Sequence, residues 1–299
     1  MSGDGLGDTA ALRSTASPSV TAAATGPVGR SAVPEEQVSG SASPSGTGQA
    51  VAADVAAAVA RAVRPVTATA EGNLSVAVAD LTTGLTAGYG GSGHTFATAS
   101  IAKVDILAAL LLQAQNADRR LTAQERAWAA TMIENSDNDA ADALYTRIGL
   151  AAGLDRANRT FGLTATTAGA AGRWGLTETT AADQLTLLQA VFGQDSPLGS
   201  AARDYLHTLM GQVEADQGWG VSAAADPGTA PLLKNGWLPR SSTGLWVVNS
   251  IGRVDHGGHR LLIAVLSDGS TTQAKGVSLV ESAAEAAADA LTDALETRT

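Results

Sequence analysis

Apolar residues recur at two different spacings along the chain, and the spacing changes in a simple order. From Val51 to Val63 they recur as on one face of a helix, and Pro65 predicts where this helix ends. The stretch Leu74–Ala79 alternates instead, and a second short run ends at Tyr89. These two runs flank a turn-like segment and predict a β-hairpin.

Helical spacing then returns for more than one hundred residues. The predicted helices are Ile101–Gln115, Ala123–Ile133, Asn138–Ile148, Gly153–Phe161, Thr180–Phe192 and Ala201–Met210. Three strands follow, and then a helix with an apolar stripe: Leu232–Gly236, Leu245–Val254, Arg260–Leu266, and the stripe Val280, Ala284, Ala287, Leu291 and Leu295. This order predicts an α+β fold in which both ends of the chain build a five-stranded antiparallel sheet, flanked by the terminal helices, with an all-helical domain inserted.

The first 48 residues have a different composition from the rest. They contain no aromatic residue and four of the nine prolines, in long mixtures of Ser, Thr, Ala and Gly. Such a segment buries too little apolar surface to offset its ordering entropy, so residues 1–48 are predicted to be a disordered tail. Residues 49–299 are predicted to form the folded domain, with the helical subdomain at about 98–212. No signal peptide and no transmembrane segment are visible in the sequence.

Charge and composition narrow the possible functions. The formal net charge is -10, and there is no Lys/Arg cluster, which disfavours nucleic acid and anionic membranes as partners. The absence of cysteine excludes a thiol nucleophile and a Cys-ligated metal. Sixteen of the 19 basic residues are arginine, so Lys103, Lys234 and Lys275 are candidates for work that needs an amine.

Two of these lysines lie within short motifs. Ser100 and Lys103 are three residues apart at the predicted start of a helix, where the amine can reach the hydroxyl. A serine at a helix start also has its backbone N–H directed into the site, where the helix dipole favours negative charge. A nearby lysine with a lowered pKa can take the serine proton, which is the arrangement that an acyl-transfer nucleophile needs. Further along the chain stand Ser136-Asp137-Asn138 and Lys234-Asn235-Gly236.

Taken in this order, the three motifs resemble the S-x-x-K, S-D-N and K-T-G set of the penicillin-recognising serine hydrolases, most closely the class A β-lactamases. The resemblance covers roughly residues 50–297. It implies a hydrolase that forms an acyl-enzyme on a β-lactam or a peptidoglycan-like peptide, with no cofactor and no metal. It also implies an extracytoplasmic location, although no export signal is visible, and we expect a monomer.

The resemblance implies a role for each matching position. Ser100 is the expected nucleophile, Lys103 its proton acceptor, Ser136 a proton relay to the leaving nitrogen, and Lys234 a positive charge for the substrate carboxylate. The expected substrate-binding residues are Asn138, Asn235, Gly236 and Trp237, and the backbone N–H groups of Ser100 and Trp237 are the expected oxyanion hole.

Two departures from the family pattern affect this expectation. Asn235 replaces the usual Thr of the third motif, which changes the shape and reach of the side chain. The E-x-x-L-N loop, whose acidic residue activates the deacylating water in class A β-lactamases, is absent between Asn138 and Lys234. Glu178 is the nearest glutamate, and we interpret it as a surface or helix-start charge, because Thr180 and Asp183 are typical of a capped helix start. Slow deacylation is therefore expected.

Other interpretations remain open. Without the deacylating acid, the chain also fits a D-alanyl-D-alanine type peptidase or penicillin-binding protein, or a catalytically weak module that binds cell-wall ligands. A Ser-His-Asp triad is disfavoured because no G-x-S-x-G sequence accompanies His94, His256 or His259. Trp174 and Trp237 are candidates for the walls of a substrate pocket.

Overall fold

The computed structural model describes residues 46–68 and 70–297, and the predicted tail lies outside this range except for its last three positions. The helices are α1 (Gly46–Ala68), α2 (Ala102–Asn116), α3 (Ala123–Glu134), α4 (Asn138–Ile148), α5 (Leu150–Phe161), α6 (Ala181–Phe192), α7 (Ser200–Met210) and α8 (Gln273–Glu296). The strands are β1 (Asn73–Asp80), β2 (Thr86–Gly90), β3 (Phe96–Ala97), β4 (Glu178–Thr179), β5 (Leu232–Pro239), β6 (Trp246–His256) and β7 (His259–Ser270).

Five of these strands form one antiparallel sheet in the order β2-β1-β7-β6-β5. Strand β7, from the end of the chain, pairs with β1, from its start, so that Val76 lies opposite Val265. The predicted α+β fold, with a sheet built from both ends of the chain, is thus confirmed. Strands β3 and β4 form a separate two-stranded pair.

The sheet separates two hydrophobic cores. Successive side chains of a strand point to opposite faces, so β7 sends Leu262 and Ala264 into one core and Ile263 and Val265 into the other. Burial of both faces explains the continuous apolar run in this strand. Helix α2 lies in the first core and is buried almost all round, so that the residues of its first turn are held in a dry, packed environment.

The terminal helices cover the opposite face of the sheet. The predicted stripe of α8 is buried, and Val55, Val59 and Val63 of α1 are buried in the same core. Helix α1 differs from the prediction at both ends, because it begins at Gly46 and continues through Pro65 to Ala68. Since Pro65 lies in the last turns, it removes few helix hydrogen bonds. The Thr67 hydroxyl donates to the backbone carbonyl of Val63 at 3.0 Å, which gives this carbonyl of the last turns a hydrogen bond from a side chain.

The inserted helices follow the predicted pattern closely. Helix α6 begins after Thr180, whose side chain accepts a hydrogen bond from the backbone N–H of Asp183, as the capping pattern predicts. Helix α5 begins three residues earlier than predicted, directly after Gly149. The segment of residues 162–180 between α5 and α6 is fastened by Asp183, which accepts hydrogen bonds from the N–H of Ala165 and the hydroxyl of Thr166. In the described part of the chain, no helix is both long and apolar enough to cross a membrane.

Candidate active site

Ser100 lies in a tight turn between β3 and α2. The turn is a short 3-10 helix, Ala99–Ile101, and α2 continues directly from it. Ala99 has φ 48°, in the left-handed region that non-glycine residues rarely adopt. Such strain persists only where the surroundings hold it, and it is common next to reactive groups. The turn leaves Ser100 partly exposed, while Lys103 one helical turn later is buried.

The Lys103 ammonium joins two of the predicted motifs. Its Nζ lies 3.0 Å from Ser100 Oγ, 3.0 Å from Ser136 Oγ and 2.8 Å from Asn138 Oδ1. It also lies 2.6 Å from the backbone carbonyl oxygen of Ser136. An ammonium has only three protons to donate, so the four acceptors must share them. The structure therefore brings Ser100, Lys103, Ser136 and Asn138 together around one amine.

Ser136 stands between the two buried lysines. It has φ 55° in the turn between α3 and α4, and its Oγ lies 3.1 Å from Lys234 Nζ as well as 3.0 Å from Lys103 Nζ. A hydroxyl has two acceptor sites and one proton. When both lysines donate to it, the Ser136 proton is left free for a third group.

Burial lowers the pKa of both lysines. The pKa of Lys103 falls to about 8 because the side chain is desolvated, while the nearby carboxylates of Asp137 and Asp142 act in the opposite direction. The pKa of Lys234 falls to about 7, through desolvation and then through the positive charge of Lys103. Each amine is thus brought close to neutral pH, where a lysine can accept a proton.

Strand β5 passes directly beside the Ser100 turn. A Cβ atom on Gly236 would lie 2.6 Å from the backbone nitrogen of Ser100 and 2.8 Å from the carbonyl oxygen of Thr98. No side chain fits at this position without moving the strand or the turn. Asn249 of the neighbouring strand holds the other side of the turn, since its Nδ2 donates to the carbonyls of Ala97 and Thr98 at 2.9 and 3.0 Å. The backbone nitrogen of Ser100 therefore lies close to β5, the strand that carries Trp237.

Asn235 has a different environment from the one that the resemblance implies. It is 1% exposed, and its Nδ2 donates to the backbone carbonyls of Gln217 and Trp219 at 2.7 and 2.8 Å. Its amide donor therefore fastens a neighbouring loop within the protein. The loop in turn places Gln217 Oε1 3.5 Å from Lys234 Nζ. No motif marked Gln217, because its position depends on the path of the loop.

Trp237 is half-buried beside another tryptophan. Its ring centroid lies 5.7 Å from that of Trp219, with the planes tilted by 59°. Trp237 on β5, directly after Gly236, thus pairs with a tryptophan of the loop that Asn235 fastens.

The 162–180 segment places the ring of Trp174 against the Lys103 ammonium. The ring centroid of Trp174 lies 4.9 Å from Lys103 Nζ, and its indole N–H donates to Asp142 Oδ1 at 2.7 Å. Sequence reasoning marked Trp174 as a pocket candidate but gave no sign of Asp142. Asp142 is four residues after Asn138 on α4, so helical spacing places both on one face, a signal that becomes visible once the helix is known.

Glu178 is half-buried and lies in β4, two residues before the Thr180 cap of α6, so it is near the predicted helix start but within a strand. It pairs with Ala97 in the short sheet, and its Oε2 accepts a hydrogen bond from the Thr95 hydroxyl at 3.0 Å. Three of the histidines lie against carboxylates: His94 Nε2 is 2.8 Å from Asp268, His256 Nε2 is 3.1 Å from Asp289, and His259 Nδ1 is 3.5 Å from Asp80. Among the described residues, no cluster of three or more His, Asp or Glu side chains is arranged to hold a metal ion.

A five-stranded antiparallel sheet with inserted helices thus holds two serines and two buried lysines in one cluster. The sequence profile of the β-lactamase enzyme family matches residues 57–126 and 121–291. The chain therefore belongs to the β-lactamase enzyme family.

Solved structures with the same fold include β-lactamases and a penicillin-binding protein. A class A β-lactamase from Bacteroides cellulosilyticus is 17% identical with a TM-score of 0.69, and the match covers 80% of this chain and 99% of that one. A variant of PBP-A, solved as its acyl-enzyme complex with penicillin G, is 21% identical with a TM-score of 0.67, covering 81% and 97%. A β-lactamase from Burkholderia phymatum is 20% identical with a TM-score of 0.66, covering 80% and 99%. Among curated proteins, none matches this sequence.

Proposed function

We propose that this protein is a serine hydrolase that is acylated on Ser100 by β-lactams or related cyclic amides, and that it releases the acyl group slowly. The observation that carries the proposal is the position of Lys103 Nζ, 3.0 Å from Ser100 Oγ and 3.0 Å from Ser136 Oγ. One amine is thus within hydrogen-bonding distance of both hydroxyls that acylation uses.

Acylation follows from this geometry as a closed proton path. Neutral Lys103 takes the proton of Ser100 as Oγ attacks the amide carbonyl carbon, and the N–H groups of Ser100 and Trp237 hold the resulting oxyanion. When the C–N bond breaks, Ser136 gives its proton to the leaving nitrogen. Ser136 then recovers a proton from the Lys103 ammonium, which returns the amine to its neutral form. Lys234 binds the substrate carboxylate, and Asn138 and the edge of β5 hold the rest of the substrate.

Deacylation needs a base that positions water against the ester, and the loop offers no suitable carboxylate. Glu178 is the only acidic residue between Asp155 and Asp183. Its carboxylate is bonded to Thr95 in the two-stranded sheet. This supports an acyl-enzyme that forms readily and breaks down slowly.

The test is the intact mass of the protein after incubation with a penicillin. We expect a mass increase of one penicillin per chain in the wild type and none in Ser100→Ala. Product release should show a burst of about one equivalent followed by a slow steady state. A wild type that gains no mass and hydrolyses no penicillin would overturn the proposal. Burst-free turnover that drops sharply in Glu178→Gln would instead make Glu178 the deacylation base.

The lack of a suitable carboxylate on the 162–180 segment also favours a second candidate, a penicillin-binding peptidase that acts on D-alanyl-D-alanine type peptides. The solved acyl-enzyme of PBP-A, with the same fold, is consistent with this alternative. Release of D-alanine from a model peptide, lost in Ser100→Ala, would favour the peptidase. Covalent labelling without turnover of either substrate would favour a binding module.

A further inference from the structure

Lys103 lies against an aromatic ring as well as against its hydrogen-bond acceptors. The Trp174 ring centroid is 4.9 Å from Lys103 Nζ, and Trp174 is 9% exposed. The face of an indole attracts an ammonium within about 6 Å, more strongly where water is excluded, and it does not attract the neutral amine in this way. The contact with Trp174 therefore stabilises the ammonium form of Lys103 relative to the neutral amine.

The orientation of this ring is fixed from α4. A buried indole N–H needs a hydrogen-bond partner, and Asp142 Oδ1 provides it at 2.7 Å. Asn138, one turn earlier on the same helix, accepts a hydrogen bond from Lys103 at 2.8 Å. Helix α4 thus presents an amide oxygen directly to Lys103 and a carboxylate to the edge of the Trp174 ring.

The loop that carries Trp174 is packed on the nucleophile turn. A Cβ atom on Gly175 would lie 3.9 Å from the Cα of Ala99, at ordinary contact distance. The carbonyl of Trp174 accepts hydrogen bonds from the N–H of Thr177 at 3.0 Å and from the Thr98 hydroxyl at 3.4 Å. The ring is therefore held in place by the Ser100 turn on one side and by Asp142 on the other.

We propose that Trp174 and Asp142 are positioning residues that together stabilise the charged form of Lys103, and so set the pH above which this amine can activate Ser100. The activation of Ser100 rests on the proposed function, whereas the effect on Lys103 does not. Lys234 faces Lys103 from β5 and opposes the ammonium, while Asp137, the N-cap of α4, favours it.

The 162–180 segment carries two charged residues: Arg173, which is exposed and donates to the carbonyl of Ala170, and Glu178, which accepts a hydrogen bond from Thr95. Desolvation lowers the pKa of Lys103, and Asp142 is one of two carboxylates that raise it. Removing the carboxylate or the ring should therefore make Lys103 lose its proton at lower pH.

The first test measures the titration of the Lys103 amine in the absence of substrate. The chain has three lysines, so 13C labelling at lysine Cε gives three signals that Lys→Arg variants assign. Asp142→Asn keeps an acceptor for the indole and removes the charge, and Trp174→Leu removes the ring while keeping the site apolar. We expect the Lys103 titration to move to lower pH by about half a unit in each, because a partly screened charge acts less than one in direct contact. Trp174→Phe keeps a ring but loses the bond to Asp142, and should move it less.

Asp139→Asn is the matched control, since it makes the same charge change three residues earlier on α4. It should leave the Lys103 titration unchanged, and Lys275 should be unchanged throughout. If Trp174→Leu does not fold, Asp142→Asn and Trp174→Phe still carry the test. Titrations of Lys103 in Asp142→Asn and Trp174→Phe that match Asp139→Asn would overturn the proposal.

The second test measures the rate of penicillin acylation against pH. The acid limb of the profile should move to lower pH in Asp142→Asn by the same amount as the Lys103 signal. A moved signal with no acylation in any variant or in the wild type would overturn the proposed function and leave the contact with Lys103 intact. A moved signal with an unmoved acid limb would show that Trp174 and Asp142 do not control the base of the reaction.

Discussion

At the scale of the residue, the two lysines around Ser136 differ from the third in solvent exposure. Lys103 and Lys234 are fully buried, whereas Lys275 is exposed and pairs with Glu71. Burial shifts the protonation of Lys103 and Lys234 towards neutral pH. These two lysines are therefore suited to accept a proton near neutral pH.

We expect Lys103→Ala to slow penicillin acylation by at least ~100-fold, because Ser100 loses its proton acceptor. In the wild type, the rate should fall as pH decreases through the Lys103 pKa of about 8, since the ammonium cannot accept a proton. Lys275→Ala is the control and should keep the wild-type rate and pH profile. Stopped-flow acylation over pH 5–10 measures both, and an unchanged rate in Lys103→Ala would remove this residue from the mechanism.

Gly236→Ala should slow acylation by about 100-fold, the scale of an ångström of misplacement at a reacting centre. The added methyl would overlap the backbone of the Ser100 turn, so β5 and the nucleophile must move apart. Gly175→Ala serves as the comparison, since its Cβ meets only an ordinary contact at 3.9 Å. Acylation rates and circular dichroism of both variants give the measurement. Equal rates in the two would mean that the approach of β5 is not needed.

The sequence was sufficient to group the reactive residues but not their supporting partners. The spacing of Ser100 and Lys103 depends only on helix geometry, and the structure places their polar atoms 3.0 Å apart. The orientation of Asn235 and the contact of Trp174 with Lys103 depend on how two loops fold back onto the site. The path of a loop follows from tertiary packing rather than from periodicity, so no local sequence pattern predicts these contacts.

At the scale of the element, Glu125 connects the start of α3 with two neighbours. Its carboxylate accepts hydrogen bonds from Arg119, before the helix, and from Arg147 on α4 at 2.8 and 2.9 Å. It also closes the capping box with Thr122. Burial raises the pKa of Glu125, but the bonds from Arg119, Thr122 and Arg147 outweigh this and lower it to about 2.

A carboxyl whose pKa is depressed in the folded state contributes stability at pH values above its unfolded pKa, and this stability is lost as the pH falls towards the folded pKa. Glu125→Gln should therefore lower the free energy of unfolding at pH 7 by on the order of 2 kcal/mol. Between pH 5 and pH 2 the difference from wild type should shrink. Denaturant unfolding at several pH values measures it, with Glu134→Gln, at the end of the same helix, as control. A loss that is independent of pH would contradict the ion-pair origin.

Long, strongly periodic elements were predicted from the sequence more accurately than short ones. The apolar stripe of α8 and the alternation of β1 are repeated over several turns or residues, so single exceptions do not obscure them. The two-residue strands β3 and β4 carry no period at all, so the sequence indicates for Glu178 only a position near the start of α6. The prediction that α1 ends at Pro65 is wrong, because packing of its apolar face holds the helix through this residue to Ala68.

At the scale of the whole molecule, the sheet with α1 and α8 forms a core distinct from that of the inserted helices. Deletion of residues 1–45, which precede α1, should leave the unfolding transition unchanged, as their composition predicts. Val59→Ala should lower the free energy of unfolding by about 2 kcal/mol, because Val59 is fully buried against the sheet. Thermal and denaturant unfolding compare the two. A destabilised deletion variant would show that the folded domain begins earlier.

The pairing of β1 with β7 joins residues 195 positions apart, as in the hydrogen bond between Asn73 and Asp268. Strand β5 lies at the far edge of the sheet and reaches β1 only through β6 and β7. Lys234, on β5, therefore meets Ser136 next to a sheet that needs strands from both ends of the chain. Contacts of such long range form slowly. If Ser100 is acylated as proposed, a penicillin label would therefore report chains whose sheet is complete, and chains truncated before β7 should remain unlabelled.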